Sequence, residues 1–166
     1  MENVQQLKLN TSNEKAKSCL FTGHRDLGYD FRKTDLQSHI QQAAKDGVTD
    51  FYVGMAKGFD LLCAETVLEV KKSYPFIRLI ACIPCYNQEK NYSQEDKKRY
   101  VDILKKVDEK VILSDNYYRG CMQNRDKYMA DRGDMLICYC RKETGGTAYT
   151  LKYFQKKKPT GKVIFL

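Results

Sequence analysis

The chain has 166 residues, 42% of them hydrophobic, and a formal net charge of +8. That length suits one domain with a buried core, and the hydrophobic fraction excludes a fibrous or disordered chain. No apolar run approaches the roughly 20 residues of a membrane span. The polar residues 1–17 hold no signal-peptide core, so a cytoplasmic protein with no membrane partner is expected.

Residues 1–17 read as a flexible leader without apolar periodicity, and residues 18–166 as one domain. A strand is predicted at 18–22, then a loop and a helix over 33–45. A second strand at 50–53 leads into a helix over 58–72, which Ser73-Tyr74-Pro75 breaks. The apolar run 77–83 is a third strand, followed by a helix around 93–107 and a strand at 110–113. Helix 123–132, strand 135–139, helix 145–156 and strand 162–166 complete the chain. Strands alternating with helices of this length imply βαβ units with parallel pairing. The expected fold is α/β: a Rossmann-like three-layer α/β/α sandwich around a mostly parallel sheet.

Three glycine turns each follow a predicted strand. Thr22-Gly23-His24-Arg25 comes after Cys19-Leu20-Phe21, and Gly54-Met55-Ala56-Lys57-Gly58-Phe59-Asp60 comes after Asp50-Phe51-Tyr52-Val53. Gly145-Gly146-Thr147 opens the last helix. Backbone N–H groups left unpaired at a helix start, aided by the helix dipole, cradle phosphate or another anion. In a parallel sheet such turns fall on the carboxyl rim, where ligands bind at the reversal of strand order. The GxGxxG spacing is absent, which argues against a dinucleotide enzyme of that type, and no cofactor is expected.

The seven cysteines are an odd number, and Cys19, Cys82 and Cys138 sit in apolar runs where a thiol behaves as a small hydrophobe. Cys82/Cys85 has no CxxC partner elsewhere, and the four-ligand spacing of a zinc site is missing, so no metal site is expected. Much of the positive charge is scattered over helices, and Lys156-Lys157-Lys158 suits a helix end as well as a nucleic-acid patch.

Taken together, the turns resemble the SLOG superfamily, named for the DNA-uptake protein DprA (Smf) and the cytokinin-activating LOG enzymes. The YpsA-like branch is nearest, over residues 18–166. Thr22-Gly23-His24-Arg25 looks like the opening turn of that branch, and residues 54–60 look like the superfamily's GxxxGxD turn. Tyr74-Pro75 with the strand and Pro84 after it resembles its YP-strand-P stretch. Met122-x-x-Arg125-x-x-x-Met129, with Asp134 before the next strand, resembles the LOG helix MxxRKxxM. In LOG enzymes that arginine and the glutamate of a following PGGxGTxxE turn are catalytic. Here Lys152 or Thr150 stands at the glutamate position, depending on which glycine anchors the count, and neither is acidic. Cleavage of an N-glycosidic bond needs a carboxylate, which leaves Arg125 and Glu65 as fallback catalytic candidates, with Glu143 a further carboxylate.

The expected ligand-binding residues are Thr22, Gly23, Arg25, Gly54, Lys57, Gly58, Asp60, Arg125, Gly145, Gly146 and Thr147. Arg25 and Arg125 would meet phosphate. Asp60 would cap its helix or hold a ribose hydroxyl. His24 at its turn would hydrogen-bond locally, and Tyr117, Tyr118 and Tyr139 could stack on a base. The resemblance implies binding of a nucleotide or nucleotide-derived small molecule at the rim of the sheet, as a sensor or regulatory module. Two alternatives are a LOG-like nucleotide phosphoribohydrolase and, ranked last, DprA-like single-stranded DNA binding. LOG-like proteins commonly dimerise, so the resemblance allows a homodimer that no residue pattern here specifies.

Overall fold

The computed structural model describes residues 16–166. The leader expected at 1–17 lies outside the described residues except for its last two, and these belong to the domain. The Lys17 N–H donates to the Asp134 carboxylate at 2.9 Å, and the Lys17 carbonyl accepts the Thr49 N–H at 2.9 Å. Six strands alternate with five helices: β1 (Ser18–Gly23), α1 (Lys33–Lys45), β2 (Asp50–Val53), α2 (Phe59–Lys71), β3 (Arg78–Ile83), α3 (Gln94–Leu104), β4 (Glu109–Ile112), α4 (Cys121–Arg132), β5 (Met135–Tyr139), α5 (Gly146–Lys157) and β6 (Lys162–Phe165). The sheet order is β4-β3-β2-β1-β5-β6, with every pairing parallel. This is the three-layer Rossmann-like α/β fold that the alternation predicts.

Side-chain alternation along each strand divides the core in two. Cys19, Phe21, Phe51, Val53, Leu79, Ala81, Met135 and Ile137 face α1, α2 and α3. Leu20, Ile80, Cys82, Leu136 and Cys138 face α4 and α5. Both faces are covered, so β1, β3 and β5 read as unbroken apolar runs rather than alternating ones. Each fully buried large side chain contributes about 1.5–3 kcal/mol. The edge strands β4 and β6 are partly exposed and carry Lys110 and Lys162, charges that discourage edge-to-edge pairing.

Helix α1 and strands β2 and β5 fall on their predicted bounds, and the others shift by one to three residues. The clearest shift is α4, which starts at Cys121 because Gly120, in a left-handed conformation (φ 93°), turns the chain into it. Ser93 caps α3 by accepting the Asp96 N–H at 3.1 Å. The seven cysteines are all free, and only Cys140 is not buried. Among the described residues no helix is long and apolar enough to cross a membrane.

Candidate functional site

The chain lays β2, β3 and β4 on one side of β1, then returns to lay β5 and β6 on the other. Strand order therefore reverses between β1 and β5, and a crevice opens beyond their carboxyl ends. It holds a cavity of about 720 Å³, within the range of small-molecule sites. One wall is the loop 22–30 after β1, the other is the segment 139–147 after β5, and the floor is Ala56, Asp60 and the α4 residues Met122, Arg125, Asp126 and Met129. A smaller cavity of about 330 Å³, which His39 lines, lies at the opposite rim.

Cross-chain contacts fix the two walls. The His24 Nε2 accepts the Arg141 N–H at 2.7 Å, and the Tyr139 Oη accepts the Gly28 N–H at 2.9 Å. Asp30 pairs with the Arg141 guanidinium at 3.1 Å, which holds its carboxyl below the usual range. Burial, then the charges of Lys142 and Arg141, push the His24 pKa down, so its imidazole is a neutral acceptor at pH 7. Beneath these contacts Phe31, Phe59 and Tyr139 pack as an aromatic cluster, with Phe31 edge-on to both neighbours.

The floor is a buried polar cluster built around Arg125, which is 5% exposed. Its Nε donates to Asp126 at 2.7 Å and its Nη1 to the Gly54 carbonyl. That carbonyl also accepts from Gln88 Nε2 at 3.0 Å, and Gln88 in turn accepts the Tyr100 hydroxyl at 3.1 Å. Gly54 is required here, since a Cβ would lie 2.8 Å from the guanidinium carbon of Arg125. Met55 next to it is buried with φ 63°, a conformation uncommon outside glycine, and its carbonyl accepts the Tyr92 hydroxyl at 3.0 Å. Asp60 accepts the Ala56 N–H at 3.2 Å. Burial raises the Asp60 pKa to about 7 despite the opposing pull of Arg125.

Residues 16–164 match the YspA SLOG family. The chain belongs to that family. A UPF0398 protein of Halalkalibacterium halodurans is 26% identical over 147 residues, covering 87% of this chain and 78% of its own length. The UPF0398 protein YpsA of Bacillus subtilis is 27% identical over 155 residues, 86% of each chain. Among solved structures, DNA processing protein A from Helicobacter pylori, described for its single-stranded DNA binding mode, superposes with a TM-score of 0.65 at 17% identity. That match covers 91% of this chain and 65% of the other. DprA of Streptococcus pneumoniae gives 0.64 at 16% identity, covering 89% and 49%. This chain spans less than two thirds of either DprA chain, and at such identity the likeness is one of fold.

Within this SLOG domain the cavity gathers Thr22, Gly23, Arg25, Asp60, Arg125, Gly145, Gly146 and Thr147 of the expected set. Gly54, Lys57 and Gly58 do not line the cavity. Gly58 (φ 80°) lets the second turn press against the first, where a Cβ would lie 2.0 Å from the Arg25 carbonyl oxygen. Two N–H groups of that turn are already bonded within the protein, Ala56 to Asp60 and Phe59 to the His24 carbonyl. The start of α5 likewise has no side-chain cap, and its first turn lines the cavity.

Arg125 is tied to the Asp126 carboxylate and the Gly54 carbonyl rather than standing as a free cation, and the cations on the rim are Arg25, Arg141 and Lys142. Asp60 does not cap α2, because its carboxylate turns back to Ala56. Glu65 faces outward and pairs with Arg99 of α3, away from the cavity. Glu143 also lies off the cavity lining, as do the exposed Tyr117 and Tyr118, whereas Tyr139 lines it. Sequence reasoning missed Asp126, Asp30 and Arg141. No local pattern marks them: Asp30 and Arg141 find each other 111 residues apart, and Asp126 gains its role from the burial of its neighbour Arg125.

Proposed function

We propose that this chain binds a nucleotide or nucleotide-derived small molecule in the crevice between β1 and β5, as a cytosolic sensor or regulatory module. The observation that carries this reading is the uncapped start of α5 on a cavity of nucleotide size. The N–H groups of the Gly145-Gly146-Thr147 turn and the Thr147 hydroxyl suit a phosphate, with Arg25, Arg141 and Lys142 around it. The base would lie between the walls, beside Tyr139 and the fully exposed Tyr29. Thermal-shift titration with nucleotides, nucleotide sugars and ADP-ribose derivatives tests it, since a ligand of the native state raises the melting temperature. A shift that Arg25→Ala and Arg141→Ala both weaken supports the reading, and no shift with any of these compounds removes it.

One observation favours a second reading, hydrolysis of an N-glycosidic bond. The buried Asp60 carboxyl, with its pKa near 7, supplies on the cavity floor the acid–base group that the α5 turn lacks. Release of free base from nucleoside monophosphates, abolished in Asp60→Asn, separates an enzyme from a binding module.

A further inference from the structure

The floor carries three polar atoms whose role the packing does not explain. Asp60 accepts its one hydrogen bond through Oδ2, and Asp126 through Oδ1. Arg125 donates through Nε and Nη1. Asp60 Oδ1, Asp126 Oδ2 and Arg125 Nη2 thus have no hydrogen-bond partner within the described residues. These side chains belong to residues only 6%, 9% and 5% exposed, and all three residues line the cavity. No fully buried side-chain nitrogen or oxygen among the described residues lacks a partner. The three atoms therefore reach the cavity surface, where they offer two acceptors and a donor between them.

That combination discriminates among ligand groups. A phosphate would be repelled by two carboxylates, and a metal ion or ammonium would meet the guanidinium. A pair of neighbouring hydroxyls fits both kinds of group: each can donate to a carboxylate oxygen, and either can accept from the guanidinium. Buried groups left without a partner also penalise an analogue that lacks the hydroxyl, which makes such a floor selective. We propose that Asp60 and Asp126 hold the vicinal 2′- and 3′-hydroxyls of a ribose, so that the site selects ribonucleotides and ribose phosphates over their deoxy counterparts. This rests on the nucleotide reading above and orients the ligand, with the phosphate at the start of α5 and the sugar edge on the floor.

The test is calorimetric titration of the full chain at pH 8 with ribose 5-phosphate and the four nucleoside 5′-monophosphates, each nucleotide beside its 2′-deoxy form. Hydrogen bonds to charged groups predict that the ribo forms bind about ten- to a hundredfold tighter. Asp60→Asn and Asp126→Asn should each shrink that preference. Equal affinity for ribo and deoxy forms in the wild type overturns the inference and leaves the nucleotide reading standing. No binding of any of these probes overturns both. The wild-type comparison decides the matter even where a variant fails to fold.

Discussion

Asp60→Asn should make the domain more stable, and by an amount that grows with pH. In the unfolded chain Asp60 loses its proton near 3.8, whereas in the folded chain burial holds the proton until about 7. Between those values the folded state binds more protons than the unfolded one, so stability falls as pH rises and levels off above 7. Asparagine cannot ionise, yet its amide oxygen can still accept the Ala56 N–H. Over pH 5 to 7, at about 1.36 kcal/mol per unit until the slope halves at the folded pKa, the stability gap between variant and wild type should widen by roughly 2 kcal/mol. For a domain of this size that is about 4–8 °C in melting temperature. Urea unfolding of both proteins at pH 5, 6, 7 and 8 measures the gap, and other titrating groups cancel in the difference. A gap that stays constant across this range would mean that Asp60 is ionised throughout, with Arg125 outweighing burial.

Gly58→Ala places a Cβ against the Arg25 carbonyl at a positive φ and should cost at least about 2 kcal/mol, read by denaturant melting. Gly146→Asp meets open space at the start of α5, where a carboxylate favours the helix dipole by about 0.3–1 kcal/mol. It should leave stability equal or slightly higher while abolishing phosphate binding, two readouts that move in opposite directions. His24 contributes with the opposite pH sign to Asp60. Its folded pKa is depressed, so its contribution is complete above 6.5 and is lost as pH falls through the lowered value. His24→Gln should flatten that part of the stability profile.

The sheet and helices were legible because their signals are local. The runs Cys19-Leu20-Phe21 and Met135-Leu136-Ile137-Cys138-Tyr139 are apolar on both faces, as covered parallel strands must be. The rim position of the glycine turns followed from that pattern alone. The electrostatics of the site did not. Arg125 read as a phosphate partner because sequence shows its charge and not the contact with Gly54, 71 residues away, or with Asp126 beside it. His24 read as a local hydrogen-bonder, but its partner Arg141 lies 117 residues on. Asp60 read as a cap because acids are common in a first helical turn, whereas its neighbours Arg125 and Asp126 come from the other face of the sheet.

The central place of β1 has a consequence for synthesis. A ribosome delivers β1 through β4 as a contiguous half-sheet, while the strand that pairs with the other edge of β1 arrives only with residues 135–139. Until then β1 presents Cys19, Leu20 and Phe21 as an open apolar edge, the kind of surface on which nascent chains aggregate or recruit chaperones. The crevice lacks its second wall over the same interval. A prematurely terminated product would therefore be both ligand-blind and sticky, and pulse-labelled intermediates cut before residue 134 should partition with holdase chaperones while full-length chains do not.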